Sequence, residues 1–147
     1  MLRKNGLKAI QPRSFVPKTT QSRHPYKINP NLFLDRPEPA KPCEVWVGDI
    51  TYIPLSEGRW AYLSVRIDLY SRKITSLHLK LHKLEELVNR SLDKAASRNT
   101  IPQGMIIHSD RGGQYAGNVF QKRLKKRKID QSMSRADNPY DNAFMES

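Results

Sequence analysis

The sequence predicts an α/β fold, a mixed sheet in which an antiparallel three-strand meander joins parallel strands flanked by helices. Three observations carry this. Between Glu44 and Leu81, apolar residues alternate with period two across three runs separated by turn residues, the pattern of consecutive strands. From Leu84 the apolar residues recur at steps of three and four, which makes one helical stripe. The run Met105-Ile106-Ile107 then follows a loop bracketed by Pro102 and Gly104, so a crossover helix returns the chain to a parallel strand.

Taken in order, the first strand places Val45, Val47, Asp49, Thr51 and Ile53 on one face and Trp46, Ile50 and Tyr52 on the other. Both faces read as covered, as in a central strand, and Pro54 ends it. Ser56-Glu57-Gly58 makes a turn. In the second strand Ala61, Leu63, Val65 and Ile67 read as the buried face and Tyr62, Ser64, Arg66 and Asp68 as the polar one. Leu69-Tyr70-Ser71-Arg72 turns into a third strand from about Lys73 to Leu79. A helix is predicted from Lys83 to Arg98. A second, from Gln114 to Lys128, would bury Tyr115, Val119, Phe120 and Leu124, with Lys122, Arg123, Lys125, Lys126 and Arg127 on its other face. A short strand, Ile129 to Met133, closes the pattern.

At 147 residues the chain has room for one domain with a real core. Lysine and arginine total 26 against 14 acids, a formal charge of +12, which favours a polyanionic partner and salt-sensitive association. Cys43 is the only cysteine. No disulfide can form within the chain and a cysteine-rich zinc module is excluded. No apolar stretch is long enough to span a membrane and no signal-peptide core is present, so the sequence reads as soluble and intracellular. Residues 1–42 hold seven of the ten prolines among many basic side chains and read as an arm or linker, either lying along DNA phosphates or acting as a tether. Residues 43–147 form the domain proper.

The chemistry-bearing residues gather in the second half. The block His108-Ser109-Asp110-Arg111-Gly112-Gly113-Gln114-Tyr115 puts a carboxylate at the C-terminal end of a strand, where the glycines turn the chain away. Asp49 sits in the first strand, and Glu146 follows Asp110 with thirty-five residues between. Three acids on separate elements suit a two-metal site. No phosphate-binding Gly-Lys-Ser/Thr signature follows the glycines.

The strings WVGDITYI, IDLYSRKI, HSDRGGQY and SMSRADNPYDNAFMES resemble the catalytic core of DDE-type insertion-sequence transposases, relatives of retroviral integrases, over about Glu44 to Ser147. The resemblance implies a ribonuclease H-like fold and a DDE polynucleotidyl transferase that cleaves and joins DNA strands in transposition and integration. Asp49, Asp110 and Glu146 match the family triad, as catalytic residues and as ligands of two Mg²⁺ or Mn²⁺ ions. Hard cations take carboxylate oxygen, and two of them about 3.5–4 Å apart clamp an in-line displacement. Transposon ends and target DNA are the implied partners, with self-association in a complete transposase, no membrane, and a cytoplasmic, nucleoid-associated location in a bacterium.

Other residues carry alternatives. His108 reads either as a group orienting a phosphate or an aspartate, or as a packed histidine. Asn142, four residues before Glu146, shares its helical face and would support it. Asp68 reads as a turn acid capping its own backbone, with metal contact the lesser reading. His78 and His82 have a zinc-like spacing without cysteine partners and read as structural. The Lys122 to Arg127 face is either a solvated helix surface or a DNA contact. Asn138, Pro139 and Asp141 read as a helix start leading to Glu146, and the chain stops one residue later, at Ser147. The expectation is therefore a core incomplete at its C-terminus and inactive alone. A catalytically dead remnant that binds only nucleic acid or the parent transposase is the alternative.

Overall fold

A computed structural model describes residues 24–34, 36–82 and 85–135. Its elements are β1 (Val45–Pro54), a 3₁₀ turn at Ser56–Gly58, β2 (Trp60–Asp68), β3 (Ile74–Lys80), α1 (Glu85–Arg98), β4 (Ile106–Ser109), α2 (Gly113–Ala116), α3 (Asn118–Lys126) and β5 (Asp130–Met133). They build one five-stranded sheet in the order β3-β2-β1-β4-β5. β1, β2 and β3 pair antiparallel, and β4 runs parallel to β1 and β5 to β4. The expected mixed sheet with its meander is present, and β1 lies at its centre.

Two hydrophobic clusters hold the sheet. On one face Trp46 and Ile50 of β1 meet Leu87, Val88 and Leu92 of α1 and Phe120 and Leu124 of α3. On the other, Val45, Val47, Leu69 and Ile106 pack against Leu32 and Phe33, which precede the sheet. Coverage of both faces of β1 extends only to Ile50, because Thr51, Ile53 and Pro54 are exposed. The segment before β1 is tied to β5 as well: Leu32 N–H donates to Ser132 Oγ at 2.9 Å and Asn29 Nδ2 to Gln131 Oε1 at 2.7 Å.

The predicted sense of β2 is inverted. Ala61 is buried as expected, but from Leu63 on Ser64, Arg66 and Asp68 are buried while Leu63, Val65 and Ile67 are half-buried. Helix α1 covers the face that carries Ser64, Arg66 and Ser76, and it brings polar residues of its own, with Ser76 Oγ and Ser91 Oγ 2.8 Å apart. Alternation fixes which residues share a face, but not which face the helices cover. As a result Ile74, Leu77 and Leu79 of β3 are exposed, and Arg66, expected on a polar surface, is fully buried.

The predicted helix over Gln114 to Lys128 is two helices broken at Gly117. Glu85, at the start of α1, caps the second of them: its Oε1 accepts the N–H groups of Val119 and Phe120, each at 3.1 Å. These are two of the donors that a helix N-terminus leaves unpaired, and a carboxylate there also meets the positive end of the α3 dipole. Val119, predicted to be buried, is 48 % exposed beside this cap.

Candidate active site

The last paired residues of β1 and β4 are Gly48 and Ser109, and the chain carries Asp49 and Asp110 one step beyond them. Neighbouring strands lie about 4.8 Å apart, so the register sets the two acids side by side, at the C-terminal end of β4 and midway along β1. Asp49 continues the line of Val45 and Val47, and Asp110 that of Ile106 and His108. Both acids act on the same two phenols. Tyr52 is pushed above the usual phenol range by burial and then by the charges of Asp110 and Asp49. Tyr115 is raised far higher, by complete burial first, with Asp110 and Asp49 adding to it.

The turn after Asp110 is closely held. Gly112 N–H donates to Asp110 Oδ1 at 2.9 Å, and Arg111 Nε donates to the carbonyl of Ser134 at 2.6 Å. The sequence suggests that Gly112 supplies conformational freedom, but its φ of −58° is ordinary. What it supplies is room, since a Cβ there would sit 2.9 Å from both Asp110 Oδ1 and Gln114 Oε1. Beneath the strand Tyr115 fills the space that Gly48 leaves, its hydroxyl 3.4 Å from where a Cβ would lie. Arg66, opposite Gly48 in the register, stands over the Phe120 ring at 5.9 Å.

Asp68 and His78 separate from this pair. Asp68 faces Trp46, three positions along β1 from Asp49. Its Oδ1 accepts from Ser71 N–H and Oγ, each at 2.8 Å, and its Oδ2 accepts from Cys43 N–H at 2.6 Å, so it closes its own turn. His108 is fully buried, with Nδ1 2.8 Å from Ser132 Oγ and its ring edge-on to Phe33. His78 lies in β3 and is held below the usual imidazole range by burial, with Lys94, Lys80 and Arg90 adding. Glu146 and Asn142 lie outside the described residues. Among the described residues no group of three or more His, Cys, Asp and Glu side chains gathers to hold a metal. The pair that does meet, Asp49 with Asp110, offers the hard oxygen donors that Mg²⁺ and Mn²⁺ prefer.

The integrase core domain family matches residues 39–139. The chain belongs to this family. It is 41 % identical over 118 residues to the transposase for insertion sequence element IS904 of Lactococcus lactis, which covers 80 % of this chain and 46 % of the relative. It is 37 % identical over 146 residues to the transposase InsF for insertion sequence IS3A of Escherichia coli, covering 99 % of this chain and 50 % of that one. The chain thus spans about half the length of the curated relatives it matches.

Solved retroviral structures share the fold of this integrase core. The simian T-cell lymphotropic virus intasome in complex with the PP2A regulatory subunit B56 gamma superposes with TM-score 0.67 at 22 % identity, over 82 % of this chain and 41 % of that chain. The HTLV-2 integrase catalytic core domain in complex with magnesium gives TM-score 0.56 at 22 % identity, over 64 % and 62 %. The sheet and its helices are those of the ribonuclease H-like class.

The basic helix α3 of the integrase core divides into two sets of side chains. Arg123 Nη1 and Arg127 Nη2 both reach Asp93 of α1, at 2.6 and 2.7 Å, and pin α3 to α1. Lys122, Lys125 and Lys126 are exposed. No helix among the described residues is long and apolar enough to cross a membrane. Sequence reasoning missed His24, whose Nε2 is 2.8 Å from the Arg111 carbonyl, and no pattern marks it. It read Tyr115 as core filling, although its place in the HSDRGGQY block was a signal that it lies by the site.

Proposed function

We propose that this chain is the catalytic core of an insertion-sequence transposase, a DDE polynucleotidyl transferase that cuts transposon ends and joins them to target DNA. The observation that carries the reading is the β1–β4 register, which sets Asp49, midway along β1, beside Asp110 at the end of β4, within a chain of the integrase core family. These two carboxylates would hold the divalent cations, with Glu146 as third ligand. Bound Mg²⁺ or Mn²⁺ would supply charge neutralisation and activation of a water or 3′-hydroxyl for in-line attack on a phosphodiester. The residues of the chain orient that chemistry. Gly112 N–H fixes one oxygen of Asp110, and Tyr115, kept protonated, packs the strand from below. Phosphate contact falls to the exposed Lys122, Lys125 and Lys126, together with the basic residues ahead of Pro42. His108 and Asn142 act as supports beside the ligands, and the active assembly contains more than one copy.

The test is Mn²⁺-dependent nicking of supercoiled DNA by a transposase containing this core, compared with its Asp49→Asn, Asp110→Asn and Glu146→Gln variants. Loss of nicking in all three supports the reading. Equal nicking by the Asp110→Asn variant overturns it, and DNA binding without nicking by the unsubstituted protein favours a module that only binds nucleic acid.

A further inference from the structure

Residues 24–34 end in Leu32 and Phe33 on the sheet, but their start reaches the candidate site. His24 Nε2 lies 2.8 Å from the carbonyl oxygen of Arg111. A carbonyl only accepts, so Nε2 carries the proton and donates it. Gly112 N–H, which belongs to the same peptide unit as that carbonyl, donates to Asp110 Oδ1 at 2.9 Å. A peptide unit is planar and rigid, so fixing its carbonyl fixes the direction of its N–H. The His24 ring is seated: it packs against Tyr26 at 5.3 Å between centroids, and its Cδ2 would lie 3.5 Å from a Cβ at Gly113.

We propose that His24 is a positioning residue for Asp110, acting through the Arg111–Gly112 peptide. The segment ahead of β1 is thereby coupled to the carboxylate turn. Without the imidazole the peptide plane can rotate, and the Asp110 carboxylate loses the donor that aims it. Partners that orient a metal ligand through a hydrogen bond affect affinity by about 10–100-fold when removed. The consequence for metal rests on the reading of Asp110 as a ligand; the consequence for the peptide does not.

The experiment uses the full 147-residue chain and two readouts, amide hydrogen exchange at Gly112 without metal and Mn²⁺ affinity by calorimetry. His24→Ala should lower protection at Gly112 severalfold and weaken Mn²⁺ binding by about tenfold, with a melting temperature close to that of the parent. His24→Gln, whose Nε2 can donate to the same carbonyl, should restore both. Unchanged protection at Gly112 in His24→Ala overturns the proposal, and so does a Gln variant that behaves like Ala. An Asp110→Asn chain that keeps full Mn²⁺ affinity defeats the metal reading instead, and Gly112 exchange still decides the role of His24.

Discussion

A Cβ on Gly117 would lie 2.3 Å from Oε1 of Glu85, the oxygen that caps α3. The backbone of Gly117, with φ −60° and ψ 143°, is open to any residue, so the glycine is there for room alone. Glu85 can retreat from an added methyl only by leaving two helix N–H groups unpaired.

Gly117→Ala should therefore destabilise the chain by about 1–3 kcal/mol, the usual range for overpacking. Glu85→Ala should cost about 1 kcal/mol as a lost cap. The pair should be less than additive, because without the Glu85 carboxylate the methyl has space. Urea unfolding of the two single variants and the double variant measures this; strict additivity would show that the two residues are not coupled.

Arg66 is a charge with nowhere to go. It is fully buried, none of its three guanidinium nitrogens has a hydrogen-bond partner among the described residues, and burial lowers its pKa to about 10. Arg66→Met should stabilise the fold by about 1–4 kcal/mol, as apolar replacement of a buried charge can. The sign with pH follows. Above about pH 10 the unfolded chain still holds the proton that the folded chain has released, so Arg66 makes stability rise as pH climbs past that value. Other groups titrate there too, and the difference between parent and Arg66→Met isolates the effect. A Met variant that melts lower than the parent at neutral pH would count against it.

Arg66 also shows where the sequence ran out. Strand period, meander, crossover helix and the parallel β4 were legible, because alternation and helical spacing are local properties. Which side of β2 meets a helix is a property of the packed layers, and Leu63, Val65 and Ile67 pointed the wrong way. The cap at the start of α3 comes from Glu85, thirty-two positions before Gly117, and a window over α3 alone cannot see it. Asp49 was legible as an acid within the first strand and Asp110 as one at a strand's end, whereas the hydrogen bond from His24 to Arg111 spans 87 positions.

The split of α3 into paired arginines and exposed lysines gives a salt-dependence prediction. Replacing Lys122, Lys125 and Lys126 together by Gln should reduce the slope of log affinity against log salt on duplex DNA by about two to three, near 0.9 for each phosphate no longer neutralised. Arg123→Gln should act mainly on stability, and by less than about 1 kcal/mol, since its bond to Asp93 is partly exposed. Asp93→Asn releases both arginines from their partner and should steepen the salt slope. Fluorescence anisotropy at several salt concentrations reads all three. An unchanged slope in the triple lysine variant would remove α3 from the DNA interface.

The carboxylate pair predicts opposite effects with and without metal. Two like charges side by side on neighbouring strands repel, so Asp49→Asn and Asp110→Asn should each leave the metal-free chain as stable as the parent or more so. A cation bound by the native state adds RT ln(1 + [L]/Kd), about 2.7 kcal/mol at a hundredfold excess over Kd, and this should appear as a rise in the parent's melting temperature on adding Mn²⁺. Either Asn variant should abolish that rise. Glu57→Gln, on the exposed turn between β1 and β2, should leave it intact and so controls for a general effect of removing an acid. If both Asn variants keep the full Mn²⁺ shift, the cation binds elsewhere, and the Asp49–Asp110 site loses its chemistry.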